Sequence, residues 1–188
     1  MVEEMIRSRK RIVLAALAAG LITGPADLPG AIAQTAAQSE DAGRRGTGLP
    51  LPRFVSLKSN NVNVRRGPGQ DYDVAFTFVR AGLPVEITDE FGNWRKIRDS
   101  EGSEGWVFHS LLSGRRTAIV APWEVGGEFP AHSTAEPSAV VVAYLQPRVV
   151  ADVEQCTGTW CLVSGKGFEG WIEQERLWGV YPDEEIVD

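Results

Sequence analysis

Laid over itself at an offset of about 65 residues, the second half of this chain repeats the first. Asn93-Trp94-Arg95-Lys96-Ile97 falls on Thr159-Trp160-Cys161-Leu162-Val163, and Glu104-Gly105-Trp106-Val107 falls on Glu169-Gly170-Trp171-Ile172. Upstream, Val74 to Val79 matches Val140 to Leu145, and Pro84 to Ile87 matches Val149 to Asp152. Downstream, Leu111-Leu112-Ser113-Gly114 echoes Leu177-Trp178-Gly179-Val180. Matched blocks in one order and at near-constant offset mean two copies of one unit. Within each copy, short runs of Val, Ile and aromatics alternate with clusters of Gly, Asn, Asp and Pro, and no stretch sustains a helical period. The fold expected is all-β. A unit near 60 residues has a thin core that buries only about 60% of its unfolded surface, so the copies are expected to pack together or to lean on a covalent clip.

The first copy opens on Asn61-Val62-Asn63-Val64-Arg65-Arg66-Gly67-Pro68-Gly69-Gln70-Asp71-Tyr72-Asp73-Val74, a strand running into a Gly/Pro loop with a charged and aromatic tip. This stretch resembles the start of a bacterial SH3 (SH3b) domain, in which an Asn-Val-Arg run leads to Gly-Pro and a Tyr-centred segment. The resemblance covers residues 53 to 116 and, through the repeat, 118 to 181. It implies two tandem small SH3-like β-barrels, whose sheets curl to protect their own edges. The second copy departs from the pattern, because no Asn-Val-Arg precedes Pro137-Ser138-Ala139-Val140, and Pro122 to Glu128 stands there instead. A ligand site shared by both modules is thereby put in question.

Residues 1 to 33 read as an export signal. Arg7, Arg9, Lys10 and Arg11 precede an apolar run from Ile12 to Ile22, and Ala31-Ile32-Ala33 supplies small residues for cleavage. An eleven-residue run is too short to span a bilayer as a helix, which argues against the rival reading of an uncleaved anchor. Glu3 and Glu4 sit awkwardly before the basic cluster, so either Met1 or Met5 starts the chain. Residues 34 to 52, rich in Ala, Gln, Ser and Gly, read as a flexible linker, and 182 to 188 as a solvated acidic tail. The mature product is expected in the periplasm or outside the cell, without a membrane span. The 19 Lys/Arg less four and 25 Asp/Glu less three leave 15 against 22, a net charge of −7. Such an acidic chain lacks the clustered cations that phosphate backbones require, and nucleic acid is not an expected partner.

Both cysteines lie in Cys156-Thr157-Gly158-Thr159-Trp160-Cys161. In an oxidising compartment, thiols this close on either side of a turn are expected to pair across a hairpin. Reduced or metal-bound thiols are the alternatives, but the spacing is not Cys-x-x-Cys and two distant histidines do not complete a zinc site.

No catalytic constellation is present. His109 and His132 read as solvated or packed loop histidines, and His-Glu-x-x-His, Gly-x-Ser-x-Gly and phosphate-binding loops are all missing. Wall hydrolases often join SH3b domains to a Cys/His peptidase, whereas here only about seven residues follow the second module, and no enzyme, cofactor or metal is expected. The carboxylates of Asp71/Asp73, Asp89/Glu90 and Asp99/Glu101/Glu104 fall in expected loops, where solvated charge is ordinary. Of the six tryptophans, Trp106 and Trp171 read as core, while Trp94 and Trp160 begin strands beside turns and fit either packing or a surface groove. The expected ligand-binding set is Arg65, Arg66, Asp71, Tyr72 and Trp94: planar donors for carboxylates, a carboxylate, and stacking faces beside a loop that Gly67 and Gly69 leave open. The competing role ties Arg65 into its own module and makes Tyr72 a cap. The resemblance implies a non-catalytic envelope protein that recognises a peptidoglycan peptide or another wall ligand. The alternative is an adaptor that holds an envelope protein's peptide in the same groove.

Overall fold

The computed structural model describes residues 46–187, so the expected export signal and most of the expected linker lie outside the described residues. The first sheet is built from β1 (Arg53–Leu57), β2 (Val62–Arg65), β3 (Val74–Phe78), β4 (Pro84–Phe91), β5 (Trp94–Arg98), β6 (Glu104–Phe108) and β7 (Leu112–Ser113). The second comprises β8 (Thr117–Val120), β9 (Phe129–His132), β10 (Val141–Leu145), β11 (Val150–Thr157), β12 (Trp160–Gly165), β13 (Phe168–Glu173) and β14 (Leu177–Trp178), with β15 (Glu185–Ile186) added beside β11. The strand orders are β3-β2-β6-β5-β4-β1-β7 and β10-β9-β13-β12-β11-β8-β14. Each strand of one sheet has its counterpart seven places on in the other, and each sheet curls round its own core. The chain is thus two tandem SH3-like barrels.

The equivalence extends to irregularities. One extra residue bulges β4 between Ile87 and Asp89, and another bulges β11 at the matching point between Val153 and Gln155. A second bulge falls between β2 and β3, and its counterpart lies in β10 between Val141 and Ala143. Bulges re-aim side chains and sharpen twist, as closing so small a barrel requires.

Period-two patterning sets which residues face inward. Val62 and Val64 of β2, Val85 and Ile87 of β4, Ile97 and Val107 form the first core, while Val120, Cys156, Cys161, Val163 and Ile172 anchor the second. The glycine of each Glu-Gly-Trp block is one of these inward positions. A Cβ on Gly105 would stand 2.4 Å from Val64 Cγ1 and 2.9 Å from the Arg65 carbonyl, and one on Gly170 would stand 2.8 Å from Val142 Cγ2. The glycines let β6 and β13 cross close over β2 and β10, which explains their recurrence. The adjacent Trp106 and Trp171 therefore point outward and are half-buried, correcting the expectation that they fill the core.

Cys156 and Cys161 form a disulfide with a Cα–Cα separation of 4.1 Å beside the turn of the β11–β12 hairpin. In the first module the same cross-strand pair is Glu90 and Arg95. These two form an ion pair at 3.1 Å with both side chains buried, and Arg53 and the Thr47 hydroxyl also reach the Glu90 carboxylate. Thr47, read from composition as part of a flexible linker, is thereby tied to the barrel.

The tail corrects a second expectation. It is not merely solvated charge: Glu184 binds Arg116 at 2.8 Å and accepts the Tyr181 backbone N–H, and Glu185–Ile186 adds a strand beside the disulfide. Between the modules, Phe54 meets Trp178 edge-on at 5.2 Å and Tyr181 at 4.8 Å. The Tyr181 hydroxyl donates to Glu86 at 2.9 Å, Arg98 Nε donates to the same carboxylate at 2.9 Å, and the Arg98 guanidinium lies 5.9 Å from the Trp178 ring.

Candidate functional site

The candidate site forms on the outer face of β2, β6 and β5, where the register sets Arg65 opposite Trp106, Trp106 opposite Lys96, and Trp94 opposite Phe108. Because side chains two apart share a face, these residues make one half-buried aromatic and basic surface. Trp94 and Phe108 pack edge to face at 5.5 Å, and Lys96 pairs with Glu104 at 2.7 Å. The loop between β2 and β3 starts from Arg65, on this surface.

That loop is held by Arg65. Its Nη1 donates to the Tyr72 carbonyl at 2.6 Å, and the Arg66 N–H donates to the Asp73 carbonyl at 3.0 Å. The Tyr72 ring lies on the loop backbone, so a Cβ on Gly67 would come 2.4 Å from the ring. The hydroxyl-bearing ring is nevertheless 50% exposed, and Arg66 and Asp71 are exposed at the loop tip. The structure thus joins Arg65 with Tyr72 and puts Trp94 on the face that Arg65 shares. Arg65 is committed to shaping the loop, whereas Arg66, Asp71 and Tyr72 stand exposed and Trp94 is half-buried.

The second module repeats the design with other residues. His132 stands opposite Trp171, as Arg65 stands opposite Trp106. Its Nδ1 lies 3.0 Å from the Ala139 carbonyl, seven residues on, the same spacing as Arg65 to Tyr72. A buried ring packed edge-on against Trp160 at 5.5 Å, it belongs to strand β9 and not to a turn, which corrects the reading of its sequence context. The counterpart of the Asn-Val-Arg strand is accordingly Phe129–His132, and Pro122 to Glu128 is the connection leading to it. The spacing carried a signal for this: Val74 stands nine positions after Arg65, and Val141 nine after His132.

In the second module the face is also concave. A cleft of about 470 Å3 runs past Phe129, His132, Pro137 and Trp160, and one of about 630 Å3 shares Pro137, Trp160 and Glu173 with it. Sequence reasoning missed Pro137 and Phe108 as parts of these surfaces because neither occupies a repeated motif. Among the described residues no group of three or more potential metal ligands is clustered, and no helix is long and apolar enough to cross a membrane.

The family model described as bacterial SH3 domain matches residues 58–114 and 126–179, more than half of the chain. No curated protein matches it. Among solved structures, that of NlpC1 from Trichomonas vaginalis is 12% identical with a TM-score of 0.32, over 70% of this chain and 47% of its own. That of NlpC2 from the same organism is 12% identical with a TM-score of 0.33, over 71% of this chain and 49% of its own. The chain spans about half the length of these solved relatives.

Proposed function

Because this chain belongs to the bacterial SH3 domain family, we propose that it is a non-catalytic, exported cell-envelope binding protein whose first module recognises a peptidoglycan peptide or a similar wall ligand. The observation that carries this reading is the loop from Arg66 to Asp73: Arg65 and two glycines hold it in shape, it presents Arg66, Asp71 and the Tyr72 ring, and Arg65 at its start lies on the face that carries Trp94 and Phe108. Arg66 would take a stem-peptide carboxylate, Tyr72 and Trp94 the apolar atoms, and Asp71 an amide or amine. The disulfide fits an oxidising compartment and so supports export.

Co-sedimentation with purified, protein-free sacculi tests the reading. Saturable binding that falls with salt and with Arg66→Ala or Tyr72→Ala is the expected result. Binding that both variants leave unchanged would remove the site from this loop.

One observation favours the alternative of a protein-binding adaptor. Strand β10 lies at the edge of its sheet and exposes Val142 and Tyr144 at 49% and 62%, with Val140 just before it at 72%. An open apolar edge is a template on which a partner's strand can pair. No affinity for sacculi, together with capture of a defined envelope peptide that Val142→Lys abolishes, would transfer the function to this edge.

A further inference from the structure

The two modules differ most at their edge strands. β3 and β10 each end a sheet, and each pairs along one side only, with β2 in the first module and with β9 in the second. Val74 and Val141 are equivalent, because Val74 stands opposite Arg65 and Val141 opposite His132. By the same register Asp73, Ala75 and Thr77 of the first module become Val140, Val142 and Tyr144 of the second. A charge, a methyl group and a hydroxyl that donates to Asn63 Oδ1 at 2.8 Å thus give way to three exposed apolar and aromatic side chains. Both strands carry the bulge, so side chains and not backbone shape set the two edges apart. Charged side chains are a usual guard of a free edge. Between Glu136 and Arg148 there are none.

The symmetry of this segment selects what covers it. Val140 and Tyr144 lie two positions on either side of Val142. The first charges met going outward are Glu136 and Arg148, six positions on either side, exposed and opposite in sign. Turned on a two-fold axis near Val142, a second β10 runs antiparallel to the first. Apolar residues then meet apolar residues, and each Glu136 approaches the Arg148 of the other copy. A parallel arrangement or a shift of several residues loses the charge match. The contact uses one patch on both copies and closes on itself, as the interface of a two-fold dimer must.

We propose that β10 is a homodimer interface, joining two copies of this chain edge to edge through their second modules. The occupant of the edge is a second copy, whereas the adaptor reading leaves the same strand to another protein. Pairing of five-residue strands makes a small interface, so the dimer should form at about 10–100 µM and not at nanomolar concentration. The surface is separate from the first module's loop, so its fate does not depend on wall binding.

Sedimentation equilibrium of the full chain from about 5 to 500 µM tests this, and a reversible monomer–dimer equilibrium is expected. Tyr144→Lys, at an exposed site, should weaken the dimer by at least about tenfold, while Thr77→Lys at the counterpart in the first module should leave it unchanged. Glu136→Lys and Arg148→Asp should each weaken it by about tenfold, since the two-fold repeats every pair. Asp tolerates the φ of 67° at position 148. The two reversals combined should restore the dimer, which a folding defect could not do. A chain that stays monomeric throughout would return the edge to another protein's strand and overturn the proposal. A dimer indifferent to Tyr144→Lys, equal loss with Thr77→Lys, or reversals that do not rescue one another would overturn it too. Failure of sacculus binding would leave it standing.

Discussion

One residue exchange between the modules shows how the same loop is held by different chemistry. Arg65 reaches the carbonyl seven residues on with a guanidinium, and His132 reaches the equivalent carbonyl with an imidazole. The short, flat ring draws its loop toward Trp160, whereas the long arginine leaves Tyr72 to cover its own glycines. Arg65→Ala should loosen the loop at a cost of about 1 kcal/mol and raise amide exchange from Arg66 to Asp73. Unchanged exchange there would show that the glycine and tyrosine contacts suffice. Gly105→Ala puts a methyl group 2.4 Å from Val64 in a packed core. It should destabilise the chain by about 1–3 kcal/mol in urea unfolding, whereas Gly114→Ala, with nothing within 4 Å, should be nearly neutral.

At the scale of elements, the β4–β5 and β11–β12 hairpins are clasped at the same register by a buried ion pair and by a disulfide. A disulfide closing so short a loop contributes about 2 kcal/mol, so reduction should lower the second module's stability by that amount and spare the first. Removing one partner of a buried pair costs more than the pair contributes. Glu90→Ala, which strands Arg95, should therefore destabilise the first module by about 3 kcal/mol. Burial opposes ionisation of Glu90, but Arg53, Thr47 and Arg95 together outweigh it and hold the carboxyl below its ordinary value. Below that ordinary value the unfolded chain takes up a proton that the folded chain still refuses. The stabilisation is therefore complete above the ordinary carboxylate range and is lost as pH falls toward the folded value. Glu90→Gln should flatten this acid limb, and an unchanged limb would assign it to another carboxylate.

For the whole molecule, the contact of Phe54, Trp178 and Tyr181, reinforced by Glu86 and Arg98, joins the modules. Burial, the hydrogen bond to Glu86 and the Glu86 charge all push the Tyr181 hydroxyl well above its ordinary value of 10.0. An undocked Tyr181 ionises as pH rises through that ordinary value while the docked one stays neutral. Docking is thus fully supported below about 10 and weakens above it. Of the three tyrosines, one should resist ionisation in an alkaline titration, and Tyr181→Phe should abolish the resistant transition. The same variant should expose the interface to hydrogen exchange, and unaltered protection at Phe54 would mean that the aromatic contact holds without the hydroxyl.

The repeat, the all-β class and the cysteine pair were legible in the chain because each rests on local information, namely alternating runs, turn chemistry and the spacing of matched blocks, while the barrel was implied by the family resemblance of the Asn-Val-Arg run. The loop with Arg66, Asp71 and Tyr72 was legible for the same reason, since its residues are contiguous. What the sequence could not convey is where side chains distant in sequence come to meet. Trp106 read as core because aromatics carry large apolar area, yet its face is set by the inward placement of the neighbouring glycine, a consequence of β6 crossing β2. The tail read as solvated acid because no local pattern announces that Glu184 will find Arg116, 68 residues away. Glu90 with Thr47 and Arg53, and the Tyr181 contact with Glu86, are of this kind. Local pattern alone determined what each segment becomes. Only the tertiary structure decided which charges are buried together and which surfaces remain open, because those depend on non-local burial that no window of sequence contains.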